Sequence, residues 1–128
     1  MSRLGGALRL VISGGAALSP ETASWFEAIG IAVREGWGLT ETCAPATVNR
    51  LDASRPGSIG LPMPGVEVKL SAAGELLVRG PGVFSGYLRD PAATAAAFTD
   101  DGFFRTGDLG WQDDEGFFYI SGRIKEII

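Results

Sequence analysis

The chain has 128 residues, 45% of them hydrophobic and 20% charged, the composition of a globular unit with room for one proper core. It contains no His and a single Cys, Cys43, which excludes a Ser-His-Asp triad, a His general base, His-ligated zinc or haem, an internal disulfide and a Cys-cluster metal site. Eleven Lys and Arg against fifteen Asp and Glu leave a net charge of −4, so the whole-molecule field does not attract nucleic acid or an anionic bilayer, and any phosphate is met locally.

In chain order, Leu8, Leu10, Val11 and Ile12 form an apolar run that breaks at Ser13-Gly14-Gly15, the pattern of a buried strand opening into a loop. Ser19 and Pro20 then supply an N-cap and first helical residue, with Glu21 placed against the helix dipole. Trp25, Phe26 and Ile29 give an apolar stripe, Gly30 a stop, and 31–37 a second strand. Strand, helix and strand make a βαβ unit with parallel strands. From about Pro56 the pattern changes to period-two strands: Val66, Val68 and Leu70, then Leu76 and Val78, with Ala73-Gly74 between them as a hairpin. Asp90 and Pro91 start a second helix that runs through alanines to Phe98. Asp101-Gly102 and Glu115-Gly116 mark turns between two short aromatic strands, 103–104 and 117–120. The expected fold class is α/β: the βαβ portion of a parallel sheet over residues 1–55, a small antiparallel β subdomain over 56–122, and a terminal segment over 123–128. The chain stops in mid-strand at Ile127-Ile128, which reads as a truncation.

Four segments hold groups that could carry chemistry. Gly14-Gly15-Ala16 could let a ligand lie on the main chain, or could be a plain connecting turn. In Gly36-Trp37-Gly38-Leu39-Thr40-Glu41-Thr42 an indole between glycines at a strand end is followed by hydroxyls flanking a carboxylate. Ligands bind at such strand ends in open α/β sheets; the indole could stack on a base, the hydroxyls could donate to phosphate and the carboxylate could take Mg²⁺. The competing reading is a core Trp and a solvated turn. Arg105-Thr106-Gly107-Asp108-Leu109-Gly110 reads as a glycine-flanked turn, with a carboxylate able to accept from a ribose diol or to close an Asx turn. The run 121–126 reads as a surface strand with Arg123 and Lys125 on one face.

In order, "LVISGGAAL", "EGWGLTET", "GELLVRGPGVFSGYL", "FRTGDLG" and "DDEGFFYISGRIKEII" resemble successive motifs of the AMP-forming adenylating superfamily of acyl-CoA synthetases, luciferases and adenylation domains. The run "TVNRLDASRPGSIGLPMPGVEVKL" is most similar to long-chain fatty-acyl-CoA ligases. The resemblance implies a two-step ligase in which a carboxylate attacks the α-phosphate of ATP to give acyl-AMP and pyrophosphate, and the thiol of coenzyme A then displaces AMP. It further implies that Gly14, Gly15 and Ala16 line the adenine and acyl pocket, with Gly36 and Gly38 beside them, and that Trp37 stacks on adenine. Thr40 would contact phosphate, Glu41 would hold Mg²⁺, and Thr40 and Glu41 together would form the catalytic pair. Asp108 would bind the ribose hydroxyls, Arg123 ribose or phosphate, and Lys125 would be the hinge to a further domain.

The chain departs from the family pattern in having Trp37 where tyrosine is common, and in lacking the phosphate loop expected upstream and the small domain with its adenylation lysine. The segment alone is therefore expected to be inactive or severely impaired. An aryl-CoA ligase, an amino-acid-activating domain, or a nucleotide-binding module without activity are the alternatives. The implied partners are ATP, a fatty acid and coenzyme A, with no nucleic acid. No run reaches the roughly 18 apolar residues of a membrane span, peripheral membrane contact of the parent stays open, and the Met1–Leu4 start has no signal-peptide character. The expected location is the cytoplasm.

Overall fold

The computed structural model describes residues 5–43 and 45–126, with only the main chain of Glu126; the Met1–Leu4 start and the Ile127-Ile128 ending lie outside the described residues. Two four-stranded sheets make up the fold. The first contains β1 (Val11–Ser13), β2 (Val33–Trp37), β3 (Thr47–Val48) and β4 (Leu61–Pro62), in that order. β1 and β2 pair in parallel, Val11 opposite Val33 and Ser13 opposite Glu35, as a βαβ unit requires; β3 and β4 add antiparallel. Leu8 and Leu10 fall outside β1, which is shorter than the apolar run.

The connecting helix α1 (Pro20–Ala28) begins where its local chemistry places it: Ser19 Oγ accepts from the Thr22 N–H, and Pro20 occupies the first turn. It ends in a Schellman pair, Gly30 N–H to Glu27 O and Ile31 N–H to Phe26 O, with Gly30 at φ +80°. Its apolar stripe is not buried in this chain, since Trp25 remains 59% and Ile29 47% exposed.

The second sheet is antiparallel, in the order β5 (Glu67–Leu70), β6 (Glu75–Arg79), β7 (Phe104–Gln112), β8 (Phe118–Arg123). The β5–β6 hairpin has the register read from the alternation, Val68 opposite Val78 and Leu70 opposite Leu76. Helix α2 (Pro91–Ala97) is capped by Asp90, whose carboxylate accepts from the Ala93 N–H. The third pairing differs from the sequence expectation. Instead of a short aromatic strand followed by a glycine turn, β7 runs unbroken for nine residues through 104–112. Register shifts at Glu75/Leu77 and at Leu109/Gly110 absorb the bend that its glycines suggested. The basic run 121–126 also differs: β8 ends at Arg123, and Ile124–Glu126 closes as a 3₁₀ turn.

The core joins the two sheets. Leu76, Phe118 and Ile59 are buried together, with Trp37, Val68 and Leu70 packed against them. Ile59 N–H donates to Phe118 O, and Phe118 N–H to Gly60 O, so the stretch leading into β4 is stitched to β8. Gly60 is required at this joint: it sits at φ +89°, and a Cβ there would lie 2.0 Å from the Val48 carbonyl carbon. Asn49 pins the 50–58 loop from inside, donating to Ser58 O and accepting from the Arg55 N–H. A second cluster centres on Phe84, whose ring lies 4.8 Å from Tyr87, 5.9 Å from Phe98 and 5.5 Å from Phe104, with Phe98 and Phe104 5.8 Å apart.

Candidate active site

Trp37 is the last residue of β2, and its half-buried indole both packs on the core and lines an open cleft of about 690 Å³ at the strand ends. The residue expected either in the core or at a ligand site thus packs on the core and also borders the cleft. Gly14, Gly15, Gly36, Gly38, Thr40, Glu41 and Arg123 line the same cleft. A second recess of about 440 Å³ shares Gly15, Gly36, Trp37, Gly38 and Arg123 and adds Ala16 and Asp108. The residues selected from four separate segments thus come together, except Lys125, which stands exposed in the 3₁₀ turn just beyond. A further cavity of about 540 Å³, between α1, β2 and the 54–57 loop, contains none of them.

Asp108 is not in the turn that its flanking glycines suggested. It lies within β7, 3% exposed, directly opposite Arg123 of β8. Its aim is set by the bulged stretch before it: Gly107 N–H donates to the buried Glu75 carboxylate at 3.0 Å, and Thr106 Oγ1 donates to Leu76 O and accepts from the Asp108 N–H. Each carboxyl oxygen of Asp108 has a partner. Trp37 Nε1–H donates to Oδ2 at 2.9 Å and Arg123 Nε–H to Oδ1 at 2.7 Å. A carboxylate offers about four acceptor positions, so roughly two remain for a ligand. Trp37, standing where tyrosine is common in the family pattern, thus makes a polar link of its own through the indole N–H.

Thr40–Thr42 form a single 3₁₀ turn after β2, with Leu39 N–H donating to Thr42 Oγ1 and Cys43 closing it in the left-handed region at φ 53°. Thr40 is exposed and Glu41 half-buried at the cleft. The 80–87 loop of the second half lies against this turn: Phe84 N–H donates to Glu41 O at 2.8 Å, and Tyr87 Oη–H donates to Glu41 Oε1 at 3.0 Å. Loss of solvent around the phenol, and then the Glu41 carboxylate beside it, raise the Tyr87 pKa above its ordinary value, so it remains a donor at neutral pH. Sequence reasoning missed Tyr87 because 46 residues separate it from its partner.

Among the described residues, no group of three or more His, Cys, Asp or Glu side chains gathers to form a metal cage. The donor set at the cleft is one carboxylate, Glu41, next to a hydroxyl, Thr40. That suits Mg²⁺ brought in with a triphosphate, because this cation is usually held by one or two carboxylates, with phosphate and water completing its octahedron.

The cleft lies at the ends of parallel strands, where open α/β sheets take their ligands, and it is floored by glycine main chain and bordered by an indole, a carboxylate–guanidinium pair and a carboxylate–hydroxyl turn. The family comparison agrees: residues 1–88 match the model for AMP-binding enzymes, and the chain belongs to that family. It is similar to the long-chain-fatty-acid–CoA ligase FadD15 of Mycobacterium bovis, 46% identical over 125 residues, which covers 98% of this chain and 21% of the relative. The sulfoacetate–CoA ligase of Cupriavidus necator is also 46% identical, over 94% of this chain and 26% of the relative. The crystal structure of ATP-bound MatB from Rhodopseudomonas palustris superposes with a TM-score of 0.87 at 41% identity, over 94% of this chain and 26% of that one. The chain therefore spans about a fifth to a quarter of the length of these relatives. Among the described residues, no helix is long and apolar enough to cross a membrane.

Proposed function

We propose that this segment forms the nucleotide-binding part of an AMP-forming acyl-CoA ligase that activates a fatty acid. The observation that carries the reading is the convergence of Trp37, Asp108 and Arg123, from β2, β7 and β8, on recesses with glycine walls. In this account adenine lies against the Trp37 indole and the main chain of Gly14-Gly15-Ala16 and Gly36–Gly38, where the side chains of Gly14, Gly15, Gly36 and Gly38 are absent and Ala16 adds only a methyl. The ribose hydroxyls donate to the remaining acceptor positions of Asp108. Arg123, held by Asp108 through Nε, keeps its terminal nitrogens for the ribose or α-phosphate. Thr40 donates to a phosphate oxygen, and Glu41 would hold Mg²⁺, whose chemistry when bound is to neutralise phosphate charge.

The first half-reaction forms a bond between a carboxylate oxygen and the α-phosphorus and breaks the α–β bridge to release pyrophosphate. In the second, the coenzyme A sulfur attacks the acyl carbon and AMP leaves. Orientation and charge stabilisation are what this segment supplies to both. Lys125, just past β8, is where we place the pivot toward a further domain, because hinges absorb torsional change at element ends. The fatty-acid assignment rests on the 47–70 run and the FadD15 likeness; equal identity to a sulfoacetate–CoA ligase calls for a test panel that spans both kinds of acid.

A non-hydrolysable acyl-adenylate analogue, titrated by calorimetry into the full-length protein carrying this segment, tests the assignment. Saturable 1:1 binding that weakens in Trp37→Phe, which removes the donor to Asp108, is expected. An affinity no better than that of the corresponding free acid would overturn it.

A further inference from the structure

We propose that Tyr87 is a positioning residue for Glu41: its phenol fixes one oxygen of that carboxylate so that the other is presented to a divalent cation carried in with the triphosphate. The inference rests on the reading of Glu41 as the metal-side carboxylate. Glu41 lies on a three-residue 3₁₀ turn whose main chain is closed locally by Leu39 and Thr42, and those bonds leave its carboxylate unfixed. What holds the carboxylate comes from the other half of the chain. Phe84 N–H takes the Glu41 carbonyl, Tyr87 Oη–H takes Oε1, and Gly82 passes so close that a Cβ would sit 2.7 Å from Thr42 O. Among the described residues, Oε2 makes no hydrogen bond.

The phenol is itself built in. Tyr87 N–H donates to Thr94 Oγ1 at 2.9 Å, Thr94 Oγ1 donates to Asp90 O at 2.8 Å, and the ring packs edge-on against Phe84 at 4.8 Å. The phenol is thus anchored through its main chain to α2 and through its ring to the aromatic cluster, and it reaches the Glu41 carboxylate as a fixed donor. A neutral donor on one carboxylate oxygen fixes the carboxylate plane without cancelling its charge. Partners behind a ligand commonly act this way, and losing one typically costs about 10- to 100-fold in metal affinity. Tyr87 is 40% exposed, so the lower end applies.

The test uses the full-length protein carrying this segment, with Mn²⁺ as the probe and α,β-methylene-ATP as the nucleotide; free Mn²⁺ is read by electron paramagnetic resonance. Tyr87→Phe keeps the ring and removes only the hydroxyl. It is expected to weaken Mn²⁺ binding in the ternary complex about tenfold, while affinity for the nucleotide measured in chelator stays unchanged and so reports an intact fold. In a Glu41→Gln background the same substitution should change Mn²⁺ affinity less than about twofold, because the group through which it acts is already gone. An undiminished Mn²⁺ affinity in Tyr87→Phe, or an equal loss in both backgrounds, overturns the positioning role. If Glu41→Gln itself leaves Mn²⁺ affinity untouched, the metal reading of Glu41 fails instead, and the inference with it.

Discussion

Replacing Asp108 by Asn tests the centre of the site with one atom. The indole N–H of Trp37 points at Oδ2 and the Nε–H of Arg123 at Oδ1, so a carboxamide in either flip turns its own NH₂ against one of these donors. One charge-assisted bond is lost outright, worth about 1.5–3 kcal/mol, and a partly buried donor is left without a partner. Together these predict a loss of about 2–4 kcal/mol in unfolding free energy, a large share of the roughly 5–15 kcal/mol typical of a folded domain. The ribose contact falls separately, because the amide offers one acceptor oxygen where the carboxylate offers two. Losing one further charge-assisted bond should weaken ATP roughly 10- to 100-fold, at about 1.4 kcal/mol per factor of ten. The assay pairs urea unfolding with calorimetric titration of ATP and of 2′,3′-dideoxy-ATP, which has no ribose diol to donate. Asp108→Asn should bind the dideoxy nucleotide within about threefold of wild type while losing most of its preference for ATP. Equal losses for both nucleotides would place Asp108 in the scaffold alone, and an unfolding free energy unchanged within about 0.5 kcal/mol would refute the account of its two donors.

Other substitutions probe the surroundings. Gly82→Ala should separate the 80–87 loop from the Thr40–Thr42 turn, costing about 1–3 kcal/mol in a thermal or urea melt and weakening ATP more in the presence of Mg²⁺ than in its absence. Gly60→Ala, at positive φ and against the Val48 main chain, should disrupt the joint between the sheets, which the loss of near-ultraviolet dichroism would report. Asp101 is held at about 2, first by the Lys69 ammonium and then by the Thr99 hydroxyl. Its folded pKa is thus depressed, so its small contribution to stability is present above about pH 4 and is lost as pH falls toward 2; Asp101→Asn should flatten that part of the stability–pH curve. In the full-length protein, Lys125→Pro should slow thioester formation far more than pyrophosphate exchange, whereas Lys125→Ala should affect both mildly; a collapse of exchange in the alanine variant would make the side chain chemical and not a hinge.

What could be read from sequence was local chemistry. Ser19, Pro20 and Gly30 bound α1 through bonds made within a few residues, and the Val66–Val78 alternation sets a hairpin register by itself. β3 and β4 are two residues each, too short for any period; they exist because Thr47 and Val48 find Pro62 and Leu61 across the fold. Asp108 was misplaced for a related reason. Gly107 and Gly110 look like turn residues, but here they serve register shifts in a strand held from both sides by β6 and β8. The amphipathic pattern of α1 was legible, yet among the described residues Trp25 and Ile29 stay largely exposed. Of the site, the cleft residues were legible as motifs in order. The links between them, Trp37 to Asp108 across 71 residues and Tyr87 to Glu41 across 46, were not, because no local pattern encodes a long-range hydrogen bond.

The claim on which the rest depends is that this segment serves carboxylate activation with release of AMP. Phosphorus NMR of the full-length protein carrying it, supplied with ATP, Mg²⁺, coenzyme A and in turn a long-chain fatty acid, a short-chain acid and sulfoacetate, tests this directly. The account predicts AMP and pyrophosphate in equal amounts, formed only when an acid is present and abolished or greatly slowed in Glu41→Gln. ADP and orthophosphate as the products, or AMP formed at the same rate without any acid, would contradict it.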